Sequence, residues 1–130
     1  MVCMKNEDCP MINLSGCVIK GPQSRILMHQ VGSSCWDLPS GEVAKNETEE
    51  TAALRIFSDN FGLGVILRRK IGETAFMNET VGYKCSIYEA VIDKGSPDPE
   101  DYRIIEESDL NMSNNLRELK RQIDAGSIIV

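Results

Sequence analysis

The stretch 38–63 constrains the fold more than any other part of this 130-residue chain. A short extended piece, Trp36-Asp37-Leu38-Pro39, ends at a proline, and a loop through Gly41 leads to Thr48. Thr48 is a good N-cap, and Glu49 and Glu50 place negative charge in the first turn, where the helix dipole favours it. Ala53, Ile56, Phe57, Asn60 and Phe61 then recur at spacings of three and four, so they share one side of a helix. Gly62 follows as the natural C-cap glycine. The unit is strand, loop, capped amphipathic helix, and its apolar side needs a sheet to pack on.

The rest of the chain supplies that sheet. Strands are expected over 14–20 and 25–31, joined as a hairpin by Gly21-Pro22-Gln23-Ser24, with Ile26 and Met28 on one face and Leu27 and His29 on the other. His29 reads as a packed or exposed strand residue rather than a general base. Segments 65–70 and 82–93 are strand-like, the second alternating through Tyr83, Cys85, Ile87, Glu89 and Val91. A Pro-bearing acidic loop over 95–101 precedes a further strand over 102–106. Ser113 caps a last helix whose stripe is Leu116, Leu119 and Ile123 and whose end is Gly126. This order implies an α/β (α+β) fold, a mixed β-sheet flanked by helices in a single domain over 14–130, after a loosely ordered N-terminus over 1–13.

Composition excludes several classes. With 42% hydrophobic and 26% charged residues the chain suits a packed domain, and no apolar run approaches the roughly 20 residues of a bilayer span. Net charge is −6, so there is no general nucleic-acid footprint and no DNA patch. A phosphorylated ligand would need a local cation, and Arg68-Arg69-Lys70 is the densest basic run. Five cysteines, an odd number with no short ligand pair among Cys3, Cys9 and Cys17, read as reduced thiols rather than a zinc or disulfide set. Residues 1–10 carry Lys5, Glu7 and Asp8 and lack an apolar run, so no secretory signal is expected and the protein is placed in the cytoplasm. The sequons beginning at Asn13, Asn46, Asn78 and Asn111 are then silent.

Residues 38–63 resemble the Nudix box of MutT-like pyrophosphohydrolases. In that family a glycine is followed after five residues by a glutamate, and seven residues later by arginine-glutamate-apolar-any-glutamate-glutamate-any-glycine-apolar. Gly41, Glu47, Arg55, Phe57, Gly62 and Leu63 match without a gap, and Trp36, Leu38 and Pro39 resemble the family's lead-in. The resemblance implies the Nudix fold over 14–126 and hydrolysis of a nucleoside diphosphate linked to some moiety, with Mg²⁺ or Mn²⁺ as cofactor.

Three box positions depart from the pattern. The family's helix holds the metal with carboxylates at i, i+3 and i+4, which bring oxygen donors to one face. Those places hold Ile56, Asp59 and Asn60, so the box is degenerate: one carboxylate remains beside an amide, and Ile56 is expected to pack against the sheet edge. Removing one well-placed electrostatic group commonly costs about 10²–10³-fold in rate. A weak hydrolase is therefore expected. Its catalytic set would be Glu47, Arg55 and Asp59, and its metal donors the Gly41 carbonyl, Asp59 and Asn60. Its substrate contacts would be Trp36, which borders the ligand pocket in the family, with Arg68 and Arg69. Arg55, without its neighbouring glutamate, either pairs with Glu47 or contacts phosphate. A downstream acid, Glu100, Asp101, Glu106 or Glu107, would assist. The alternatives are a non-catalytic protein that binds a nucleotide or RNA, and a scaffold with no ligand.

Overall fold

The structure, a computed structural model, describes residues 11–32, 34–105 and 111–130. Its elements are β1 (Met11–Val18), β2 (Ile26–Leu27), β3 (His29–Val31), β4 (Cys35–Asp37), β5 (Ser40–Glu42), α1 (Glu49–Phe61), β6 (Gly64–Asn78), β7 (Val81–Lys94), a 3₁₀ turn (Pro99–Asp101), β8 (Tyr102–Arg103) and α2 (Asn114–Asp124). The main sheet runs β5-β1-β7-β6. It is mixed: β1 lies parallel to β7, from Met11 beside Gly82 to Val18 beside Glu89, while β5 and β6 run antiparallel to their neighbours.

Alternation along the two central strands divides the core in two. Cys17, Tyr88 and Ala90 join Ala52, Ala53, Ile56 and Phe57 of α1, and Val18, Cys85 and Ile87 join Leu116 and Leu119 of α2. Both helices are thus held by their buried stripes, each fully buried large side chain contributing about 1.5–3 kcal/mol. Their ends are set locally. The Thr48 hydroxyl accepts the Thr51 N–H at 3.1 Å, and Gly62 closes α1 in the left-handed region at φ 66°. Ser113 accepts the Leu116 N–H at 3.1 Å and donates to Asp37 Oδ1 at 2.6 Å, tying α2 to β4. Burial pushes the Asp37 carboxyl above its ordinary range, against the Ser113 and Leu38 donors that favour its charge. Asn60, expected on the buried side of α1, is exposed.

Several strands differ from expectation. The first begins at Met11 rather than 14, so residues 11–13 belong to the sheet. The hairpin over 14–31 is reduced to a bridge between Lys20 and Ile26, with the Gly21 N–H to Arg25 carbonyl bond of 2.8 Å and the Leu27 N–H to Ile19 carbonyl bond of 2.9 Å. Its second arm splits: β2 pairs with β8, β3 pairs with β4, and the intervening Met28 N–H goes to the Asp101 carbonyl. The expected strand at 65–70 continues to Asn78, and its register shifts between Leu67 and Arg69 and between Lys70 and Gly72. The last expected strand is reduced to Tyr102–Arg103, and its Glu106 lies outside the described residues, as do Glu107, Cys3 and Cys9. Cys17, Cys35 and Cys85 are free thiols.

As an edge strand β6 exposes unpaired backbone, and α2 covers part of it. Asn114 Nδ2 donates to the Met77 carbonyl at 3.0 Å and Gln122 Nε2 to the Glu73 carbonyl at 2.9 Å. Among the described residues no helix is long and apolar enough to cross a membrane.

Candidate functional site

The loop between β5 and α1 is held by one charged pair. Arg55, on the second turn of α1, donates from Nε to Glu47 Oε2 at 2.7 Å and from Nη2 to Glu47 Oε1 at 2.9 Å. Nη2 also donates to the Glu42 carbonyl at 2.9 Å, and Glu47 Oε1 accepts the Ala44 N–H at 2.9 Å. The bidentate geometry suits a guanidinium facing a carboxylate. Hydrogen bonding from Arg55, and then from the Ala44 N–H, holds the Glu47 carboxyl down at about 2. The same pair, with Asp59 adding a smaller Coulombic pull, raises the pKa of Arg55. Of the two roles open to Arg55 from the sequence, the geometry therefore has it pairing with Glu47.

Beside this clamp α1 lies against β5. A Cβ built on Gly41 would meet Ile56 Cγ1 at 3.0 Å, Cδ1 at 3.1 Å and Cγ2 at 3.2 Å, and Ile56 is 1% exposed. Gly41 thus lets the backbone of β5 approach the helix, and Ile56 fills the contact. Asp59 and Asn60, on the next turn, are exposed. The donors available for a divalent cation are one carboxylate, one amide and the Gly41 carbonyl, beside an aliphatic side chain. Hard cations rely on several anionic oxygens, and this set does not fit a resident Mg²⁺ or Mn²⁺. Among the described residues no group of three or more His, Cys, Asp or Glu side chains is arranged to hold a metal.

The three expected substrate residues share no cavity. Trp36 lies half-buried on β4 with the Arg103 guanidinium 4.5 Å from its ring centroid, a cation–π contact that covers the ring. Its backbone is clasped by the Asn111 carbonyl at 2.7 Å and the Ser113 N–H at 2.8 Å. Arg69 pairs with Glu89 at 3.0 Å and donates to the Ile129 carbonyl at 3.4 Å, while Lys20 reaches the same Glu89 at 3.1 Å. Arg68 lines an open crevice of about 690 Å³ with Lys20, Glu89 and Tyr102, to which no box residue contributes. That crevice lies away from the box segment.

A smaller cavity, about 190 Å³, abuts the box on both sides. Pro39 leads into β5 and Phe61 ends α1, and Leu27, His29, Asp98 and Asp101 complete much of the wall. His29 meets Phe61 edge to face, with centroids 5.1 Å apart and an interplanar angle of 78°. Burial first, and Asp98 next, raise the pKa of Asp101. Asp101 was legible as a downstream loop acid. From the sequence, Phe61 belongs to the helix stripe and His29 is a strand residue. Their spacing in sequence carries no hint that they touch.

No protein-family model and no curated protein sequence matches the chain. Solved structures do. A MutT protein from Methanosarcina mazei superposes with a TM-score of 0.71 at 14% identity, over 92% of this chain and 96% of that one. A Nudix hydrolase from Nitrosomonas europaea gives 0.67 at 14% identity, over 92% and 91%. An ADP-ribose pyrophosphatase from Streptococcus suis gives 0.65 at 13% identity, over 88% and 91%. The mixed four-stranded sheet, the parallel β1–β7 pair and the capped helix after β5 are thus arranged as in these proteins, and the chain has the Nudix fold.

Proposed function

We propose that the chain binds a nucleotide derivative beside α1 and hydrolyses its diphosphate slowly if at all. The observation that carries this reading is Ile56: it stands where the box pattern has a metal-binding glutamate, and it is 1% exposed against Gly41. An aliphatic side chain wedged there supplies no donor and leaves no room for a cation between helix and strand. The remaining chain does what a binding site needs. Arg55 and Glu47 fix the loop, and Ile56 and Phe57 fix the helix, so any ligand meets a preorganised wall. Neutral residues at 56 and 60 also remove a repulsion that would face an anionic ligand in the absence of metal. The pyrophosphatase among the similar structures acts on a nucleotide derivative, which supports the ligand class. The free Cys17, Cys35 and Cys85 suit a reducing cytoplasm.

Calorimetric titration with Mg²⁺ and Mn²⁺, with and without a panel of nucleoside diphosphate derivatives, tests the reading. The expected result is nucleotide binding that needs no divalent cation, negligible heat from metal alone, and turnover below about 1 s⁻¹. Turnover at an ordinary enzyme rate of about 1–10³ s⁻¹ overturns it. No binding by any of the panel leaves the ligand-free scaffold.

A further inference from the structure

We propose that the cavity between β2–β3, the end of α1 and the loop over 95–101 is a base subsite for a nucleobase bearing an amino group, with the Asp101 carboxylate receiving its N–H donors. The inference rests on the reading above that the chain binds a nucleotide derivative, and it names the part of that ligand which enters.

Size, wall and charge agree. About 190 Å³ corresponds to roughly six waters at ~30 Å³ each, which admits one ring system and excludes a whole nucleotide. The wall is largely apolar and aromatic, with Leu27, Leu63 and the His29–Phe61 ring pair, as a planar heterocycle requires. Two carboxylates line it, and no lysine or arginine does. A phosphate would meet two carboxylates here, so the anionic end of the ligand stays outside, and the group that enters is neutral and rich in donors.

Of the two acids, Asp101 is the available one. Asp98 Oδ1 already accepts the Glu100 N–H at 3.0 Å as cap of the 3₁₀ turn. The Asp101 backbone is fixed at both ends, its N–H to the Asp98 carbonyl at 3.0 Å and its carbonyl to the Met28 N–H at 2.8 Å. Its side chain makes no hydrogen bond among the described residues, so a half-buried acceptor stands on a rigid strut beside the rings. Carboxylates read amino groups of bases in this way, and a site built to receive an N–H rejects an analogue that lacks it. Phe61 and Pro39 in its wall join the cavity to the C-terminal end of α1 and to the residue before β5.

The test is calorimetry on the full chain without divalent metal, using GMP against IMP, which differ only by the 2-amino group, and CMP against UMP, in which a carbonyl replaces the 4-amino group and N3 gains a hydrogen. The expected result is binding about tenfold or more tighter for GMP and CMP, the effect of about one well-made hydrogen-bonded pair. Asp101→Ala should abolish that preference while leaving the melting temperature unchanged, since its side chain bonds nothing in the described fold. Equal affinities within each pair, or a preference that survives Asp101→Ala, overturn the subsite while the nucleotide-binding reading stands. If none of the four binds while a nucleoside diphosphate derivative does, the subsite falls alone; if neither set binds, the functional reading fails with it.

Discussion

Restoring the two glutamates, Ile56→Glu with Asn60→Glu, separates a metal site that was lost from one that was never needed. Asn60 is exposed, so its change should be nearly neutral alone. Ile56 is 1% exposed and packed on Gly41 within 3.0–3.2 Å of where a Cβ would lie. Removing its apolar burial forfeits about 1.5–3 kcal/mol, and placing a carboxylate there adds a desolvation cost of about 1–3 kcal/mol. A total near 4 kcal/mol, at about 3–5 °C per kcal/mol for a domain of this size, lowers the melting temperature by about 12–20 °C.

Magnesium then discriminates. The double variant has three carboxylates on one helix face, with Asp59 between the new pair, and binding to the folded state alone returns about 2.7 kcal/mol at a hundredfold excess over Kd. Thermal unfolding followed by circular dichroism, with and without saturating MgCl₂, should recover about 8–13 °C for the variant and almost nothing for the parent. Ile56→Ala is the control: it loses about 2–5 kcal/mol by leaving a cavity and gains nothing from metal. The reasoning is refuted if MgCl₂ raises the melting temperature of the unmodified protein as much as that of the variant. It is equally refuted if the metal-free double variant melts with the parent, because Ile56 would then not be wedged between α1 and β5.

Three further outcomes follow from the geometry. The Glu47 carboxyl sits at about 2 in the folded state against an ordinary 4.5, so its stabilising effect is complete above 4.5 and fades as pH falls from there towards 2; acid titration of Arg55→Ala should show a weaker pH dependence in that window than the parent. Burial above all pushes the Cys17 and Cys85 thiols up to about 12, so alkylation of the native protein at mildly alkaline pH, read by peptide mass mapping, should label the half-buried Cys35 and spare both. Gly21→Ala would put a Cβ 2.4 Å from Tyr102 Cδ1, and denaturant unfolding should show a loss of about 1–3 kcal/mol.

What the sequence could and could not disclose follows from the range of the forces involved. Helix α1 was legible because Thr48, Gly62 and the stripe through Ala53, Ile56 and Phe57 act within a few residues of one another. The Glu47–Arg55 clamp was legible as one of two alternatives for the same reason, its partners being eight residues apart. The second half of β6 was not, because the register shifts at Leu67/Arg69 and Lys70/Gly72 interrupt its alternation and the turn after it carries Glu79, at φ 55°, where a glycine or asparagine would have announced a hairpin.

The split of 25–31 into β2 and β3 was equally hidden, since it is made by partners supplied from 35–37 and from 101–103. Arg68 and Arg69 show the limit most plainly. Adjacent in sequence, they looked like one basic cluster, yet a register shift between Leu67 and Arg69 sets Arg69 opposite Glu89 and leaves Arg68 on the crevice. The cavity beside the box repeats the lesson with function at stake. His29, Phe61 and Asp101 come from three segments that meet only because β3 follows β2 across the end of α1 and Met28 bonds the Asp101 carbonyl. A site assembled by tertiary contacts of that kind is invisible to motif spacing, whereas the departure at Ile56 was visible at once. The motif therefore carries the departure at Ile56, and the packing around Phe61 carries the subsite proposed above.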